Sequence, residues 1–255
     1  MNSIEKSLQI LNYLSNTGRS VGITELSSRL LFPKSTVHRI LKSLANYSLV
    51  DQERDTSKYR LGLRILEYSN SFYNSFDFRQ IAKPFLKKIC LETGLSTFLT
   101  TWYNGRSICI DSIVPSRNAN THLFVETGKE MPFHCAASAK VLLAYQPPDD
   151  IKRIINEKTL LKYTSKTIIN PKKLEEHLSK IRHKGFSICN EELEEGIKAI
   201  SVPVKNLNKE AIASITITGL SKRISSSNIK KFIKILINSS EELSGILGYK
   251  GKNIL

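Results

Sequence analysis

The chain has 255 residues, enough for one large domain or two of ordinary size, and its 40% apolar content excludes a disordered polypeptide. Lys+Arg 38 against Asp+Glu 23 gives a net charge of +15, which points to a polyanionic partner. Only +4 of that charge falls before residue 63, so the placement of the cations says more than their total.

The N-terminus lacks a basic-then-apolar signal pattern, and no uninterrupted apolar run is long enough to span a bilayer. Cys90, Cys109, Cys135 and Cys189 are scattered without a CxxC pair. Reduced thiols in a cytoplasmic protein fit this usage better than a disulfide framework or a structural zinc site.

In chain order, Ser3 is placed to cap a first helix carrying Ile4, Leu8, Leu11 and Leu14 on one face, ended by Asn16-Thr17-Gly18. Thr24 is the N-cap candidate of a second, short helix that closes at Leu31-Phe32, and Pro33 opens a third. In that third helix Val37, Ile40, Leu41 and Leu44 form an apolar stripe, opposite Lys34, Ser35, Thr36, His38, Arg39 and Lys42. Cations and short hydroxyls on one face suit the major groove, although a single charged stripe is more often a solvated surface. Two neighbours favour DNA. The preceding helix stands at helix-turn-helix spacing, and Leu49–Gly62 reads as two strands around a polar turn bearing Arg54, Lys58 and Arg60, a wing. Thr24, the six polar residues of the third helix and these three wing cations are the candidate DNA-binding residues.

Residues 63–76 read as a linker helix, separating a winged helix-turn-helix (1–62) from a second domain (77–255). Asp77 begins a long helix through Ile81, Phe85, Ile89 and Cys90, with a kink or break expected at Pro84 and a stop at Gly94. Asn104-Gly105 between Thr97–Tyr103 and Ser107–Val114 signals a hairpin, and Thr121–Glu126 is a further strand candidate. Helices are expected over Cys135–Tyr145, Asp149–Asn156, from Pro171 to Gly185 and from Ser225, with strands at Phe186–Cys189, Ile200–Val204 and Ala211–Thr218. The fold class is therefore α+β, with an antiparallel sheet in the second domain.

GxSxG, HExxH and GxGxxG are all missing, and Gly245–Lys252 only approximates a phosphate loop. Neither a catalytic residue, a metal site nor a cofactor is expected. Glu191, Glu192, Glu194 and Glu195 read as a solvated acidic turn rather than acid/base carboxylates. The helix after Met131-Pro132-Phe133-His134 opens on small residues. Such an opening accepts an anion such as a carboxylate, or merely lets the helix pack closely on a sheet; the residues leave both open. Thr216 and Thr218 share one strand face, and Cys189 ends another strand, so hydroxyls and a thiol could meet a polar ligand.

PKSTVHRILKSLANYSLV followed by KYRLGLRILE resembles the N-terminal winged helix of the IclR family of bacterial transcription regulators. GKEMPFHCAASAKVLLA and GFSICNEELEEGIKAISVPVKN, continuing into AIASITITG, are similar to that family's effector-domain signature, in the expected order over nearly the whole chain. The resemblance implies a GAF-like effector domain binding a small organic acid. It further implies a homodimer reading a pseudo-palindromic double-stranded operator, and two dimers associating through their effector domains. Carried over by position, Ala137 and Ser138 would offer backbone N–H groups to the ligand carboxylate. Cys189, Thr216 and Thr218 would bond its other oxygens, and Leu123 and Met131 would form an apolar wall. Many relatives carry Asp where Cys189 stands, Ser at the positions of Thr216 and Thr218, and Gly at Ala139, so a narrower pocket of altered polarity is implied. The competing reading is an enzyme acting on a small carboxylic acid, with the winged segment as an accessory.

Overall fold

The computed structural model describes residues 2–75, 77–115 and 125–249. The chain divides into two compact units, Met1–Asp77 and Phe78–Leu255.

In the first unit, α1 (Ser3–Thr17) is capped by Asn2 rather than Ser3. The Asn2 side chain accepts from the Glu5 N–H and the Glu5 carboxylate accepts from the Asn2 N–H, each at 2.8 Å. The buried seam of α1 is Ile10 and Leu14; Ile4 and Leu8 are exposed. Gly22 precedes α2 (Ile23–Leu30), so Thr24 is an exposed residue of its first turn and not its cap. Leu31 takes a left-handed conformation (φ 56°) and ends α2. Pro33 stands just outside α3 (Lys34–Asn46) as its N-cap residue. Val37, Ile40, Leu41 and Leu44 are buried with Ile10, Leu14 and Leu26 in a three-helix core. β1 (Val50–Gln52) and β2 (Tyr59–Leu61) pair antiparallel with Asp51 opposite Arg60, and Tyr59 also bridges Val21. α4 (Arg64–Ser75) follows.

The second unit opens with α5 (Asp77–Thr93), one helix with Pro84 inside it; Gly94, at φ 66°, ends it. The five-stranded sheet has the order β4 (Arg106–Ile113), β3 (Ser96–Tyr103), β7 (Ala211–Leu220), β6 (Ile197–Lys205), β5 (Ser187–Asn190), every pairing antiparallel. β3 and β4 form a hairpin around Asn104 and Gly105, both at positive φ as a type I′ turn requires. Of the strand expected at Thr121–Glu126, residues 121–124 lie outside the described residues, and Val125 and Glu126 are not in a strand. The remaining α-helices are α6 (Ala137–Ala144), α7 (Pro148–Glu157), α8 (Pro171–Lys184) and α9 (Ile229–Ile246). Asn170 caps α8 by accepting from the Lys173 N–H. α9 starts four residues later than the hydroxyl-rich Ser225 suggested, because Ser225–Asn228 closes on itself as a turn.

Strand alternation gives the sheet two unlike faces. Phe98, Cys189, Ala199, Ser214, Thr216 and Thr218 share a face, small and hydroxylated, on which α6 lies with all eight of its residues buried. Leu99, Ile200, Val202, Ile215 and Ile217 form the opposite, aliphatic face, and α9 packs on β6 and β7. Small side chains on the first face let α6 approach closely, and its N-terminus is thereby set against the sheet.

Candidate functional site

The first unit presents one coherent polar surface. With the apolar stripe of α3 turned into the core, Lys34, Ser35, His38, Arg39 and Lys42 are exposed and Thr36 is partly so. On the wing Arg54, Lys58 and Arg60 are exposed. Among the described residues none of these six Lys and Arg side chains is held in an ion pair. By contrast, Arg19 is tied to Glu25 at 2.6 Å. Cations left without carboxylate partners beside hydroxyls make a surface for phosphates and base edges.

The wing is braced by a residue that the sequence did not single out. Glu53 accepts hydrogen bonds from the hydroxyls of Ser20 and Thr56, and its backbone N–H donates to Lys58 O at 2.8 Å. The Ser20 bond, then that from Thr56, holds the Glu53 carboxyl below its ordinary value. A Ser at the start of a wing-adjacent bridge and a Glu six residues before Tyr59 carry no periodic signal, so only the tertiary pairing of Val21 with Tyr59 brings them together.

The second unit contains a cavity of about 450 Å³ at the N-terminus of α6. Ala136 and Ala137 line it from the helix, Met131 and Pro132 from the preceding segment, and Phe98, Ala199 and Thr218 from the sheet. Cys189, Leu193 and Glu194 close it around the end of β5, and Tyr163 reaches it from another connection. Among the described residues no side chain caps α6, so its first N–H groups are left for a ligand or water. The volume suits a small molecule and the walls are mainly apolar.

Met131, Ala137, Cys189 and Thr218 thus stand around one cavity. Ser138 does not line it: fully buried in the first turn of α6, its carbonyl accepts from Ser214 at 3.4 Å. Thr216 is fully buried too, and its hydroxyl donates to Ser201 at 2.8 Å. Leu123 lies outside the described residues. Phe98, Tyr163, Leu193 and Ala199 are lining residues that the sequence did not mark: Leu193 and Ala199 lie inside a quoted signature but carry no polar atom to single them out, and Phe98 and Tyr163 sit outside the signatures, on β3 and in a connection.

Two charges near the cavity are paired within the unit, whereas Lys129 and Glu194, which also line it, are in no ion pair among the described residues. Glu130, at the rim, is paired with Arg106 at 2.6 Å, and Lys140, one turn into α6, is paired with Glu192 at 2.6 Å. Burial pushes the Cys135 thiol up to about 12 and raises Cys189 as well, which leaves both thiols protonated and poor metal or redox groups. Among the described residues no cluster of three His, Cys, Asp or Glu side chains could hold a metal ion. His134 donates from Nε2 to Leu161 O at 2.8 Å, and burial lowers its pKa.

Comparison with known proteins gives a concordant result across both units. The family profile described as "IclR helix-turn-helix domain" matches residues 3–54, and that described as "Bacterial transcriptional regulator IclR C-terminal" matches residues 71–245. The HTH-type transcriptional regulator XynR of Escherichia coli is 29% identical over 247 residues, covering 97% of each chain. The structure of an IclR transcriptional regulator from Alicyclobacillus acidocaldarius superposes with a TM-score of 0.83 at 25% identity, over 95% of this chain and 97% of that one. An IclR homolog from Microbacterium hydrocarbonoxydans, solved in complex with 4-hydroxybenzoate, has the same fold, with a TM-score of 0.81 at 18% identity over 96% and 99% of the chains. No described helix is long and apolar enough to cross a membrane.

Proposed function

The chain belongs to the IclR family of bacterial transcriptional regulators, and from that premise we propose that it is a cytoplasmic, effector-controlled DNA-binding regulator. The observation that carries the reading is the α3 surface: an apolar stripe locked in the core beneath an exposed face of unpaired cations and hydroxyls. In this reading residues 1–62 bind DNA, 63–76 link and 77–255 sense. α3 enters the major groove with Lys34, Ser35, Thr36, His38, Arg39 and Lys42, Thr24 approaches from α2, and Arg54, Lys58 and Arg60 grip the flanking backbone. A homodimer would present two such surfaces to a pseudo-palindromic double-stranded operator with half-sites about one helical turn apart, and two dimers would join through the sensing domains.

The cavity supports a small organic acid as effector. Its carboxylate would be met by the uncapped first turn of α6 at Ala137 and Ser138, with Cys189 and Thr218 beside its remaining oxygens. Phe98, Met131, Leu193 and Tyr163 favour an apolar, ring-sized body, and the 4-hydroxybenzoate complex of the Microbacterium homolog supports that class. Occupancy would shift operator affinity by a coupling of about 1–3 kcal/mol. The relatives matched are regulators by name, and repression or activation follows from where the operator lies relative to the promoter.

The test is fluorescence anisotropy on duplexes tiled across the gene's own upstream region. Arg39→Ala is expected to weaken specific binding at least about tenfold, the loss of one good base contact, while the melting temperature is unchanged. Wild-type affinity in that variant removes α3 as the reading surface.

A further inference from the structure

Among the described residues, the largest fully buried side chain of the second unit is a charged one. Lys140 has no exposed surface, and its Nζ donates to both carboxylate oxygens of Glu192 at 2.6 Å and to Ile188 O at 3.1 Å, with His177 Nε2 at 3.5 Å. His177 is pushed down to about 4, first by burial and then by the Lys140 charge, so it faces the ammonium as a neutral ring. Neither partner of the ion pair lines the cavity.

What the pair joins explains why it is there. Lys140 belongs to α6, whose first residue forms one cavity wall. Glu192 belongs to the tight connection between β5 and β6, from which Leu193 and Glu194 form another wall. That connection turns through Glu191 in the left-handed region (φ 61°), which a residue with a side chain adopts only when its surroundings hold it there. Thr164 donates to Glu191 O and Thr167 to Glu192 O, each at 2.7 Å, so the segment bearing the cavity residue Tyr163 is moored to the same connection. Three walls therefore meet at Glu192, and Lys140 anchors it. A buried ion pair contributes little net stability compared with apolar side chains of similar size, whereas removing one partner alone is costly.

We propose that Lys140 and Glu192 are positioning residues for the cavity: their pair sets the distance between the α6 N-terminus and the 190–196 wall, and so selects which acids fit. This rests on the reading of the cavity as the effector site.

The test uses the full chain with Lys140→Met, Glu192→Gln and the double variant Lys140→Met/Glu192→Met. Single variants strand a buried charge or polar group and are expected to melt lower, so the double variant, apolar on both sides, carries the decision. Its melting temperature, followed at Trp102, is expected to stay near that of the wild type. Its 190–196 amides should exchange at least about tenfold faster, and N-ethylmaleimide should label Cys189 faster by a similar factor. A merely stabilising pair would give neither change once stability is restored. Wild-type loop protection in the double variant overturns the proposal, and so does a uniform loss of protection across the whole sheet. In parallel, 4-hydroxybenzoate, benzoate and pyruvate are compared by thermal shift; the proposal expects their rank order to change in the double variant, and an unchanged order of responding acids overturns it. Loop protection is read without ligand, so it judges the pair even if none of the acids stabilises the wild type, an outcome that overturns the effector reading alone.

Discussion

Gly62, where the wing returns to the helical core, is a close approach of backbone to backbone. A Cβ built there would stand 2.2 Å from the Ser48 carbonyl oxygen, 2.9 Å from its carbon and 3.1 Å from the Val50 nitrogen. Those atoms are backbone, in the turn joining α3 to β1 and in the first residue of β1, and cannot rotate away as a side chain would. The same turn holds the wing through Gly62 N–H to Leu49 O at 2.9 Å and Arg64 N–H to Ser48 O at 3.2 Å. Gly62→Ala must therefore displace the turn or the wing. Overpacking costs about 1–3 kcal/mol, and weakening a backbone hydrogen bond adds about 1 kcal/mol. The lower chain entropy of Ala offsets about 0.4–1 kcal/mol, leaving a loss of about 1–3.5 kcal/mol. For a unit of this size that corresponds to a fall of roughly 5–25 °C in melting temperature. Hydrogen exchange of the α3 amides measures it directly, and Trp102, the chain's single tryptophan and in the second unit, serves as an internal control that should not move. Because α3 and the wing would no longer share one register, operator affinity should fall as well. Wild-type protection of α3 together with wild-type affinity would refute the argument.

Removing one phosphate-facing cation, in Lys58→Ala, should weaken all duplexes alike and reduce the slope of log K against log salt by about 0.9 per protomer; an unchanged slope excludes Lys58 from the DNA surface. Ala199→Phe fills the cavity from the sheet side, and the stabilisation by whichever acid shifts wild-type melting should vanish while operator affinity without ligand persists. Retained stabilisation would place the acid elsewhere. His177, held at about 4 when folded against about 6.5 unfolded, makes the unfolded state bind the extra proton. Stability is then nearly complete above pH 7.5 and declines as pH falls through 6.5 toward 4, by about 1 kcal/mol at pH 5 once solvent screening of the half-buried ring is allowed for. His177→Gln should flatten that part of the profile in urea titrations, and a profile already flat in the wild type would contradict the burial argument.

The exposed polar face of α3 was legible because helical periodicity decides it almost alone. Once Val37, Ile40, Leu41 and Leu44 claim the core, the orientation of Lys34, Arg39 and Lys42 follows from 100° per residue. The N-caps were less legible for a local reason: Asn2, Ser3, Gly22 and Thr24 are all acceptable cap residues, and the contacts of the flanking turn choose among them. Exposure of Ile4 and Leu8 shows the limit of the same periodicity, which names an apolar face without saying what covers it.

The cavity separates two kinds of information that a strand carries. Alternation placed Thr216 and Thr218 on one face, and they do share it, but it says nothing about position along the strand relative to the helix lying across it. α6 begins at Ala137, so the sheet beneath its body is sealed: Ser214 bonds the Ser138 carbonyl and Thr216 turns to Ser201. One strand pair further on, Thr218 and Ala199 lie beyond the helix end and face open volume. A single two-residue step therefore converts a hydroxyl satisfied in the core into one available to a ligand. The element fixing that boundary is the start of α6, which the sequence put at Cys135 and the structure puts two residues later, after Pro132 has turned the chain and Ala136 has supplied the first helical carbonyl. A shift of two residues is trivial for fold assignment, yet it is the same length as the step from Thr216 to Thr218. It is for this reason that the location of a helix-capped cavity can be read from sequence while its individual contacts cannot.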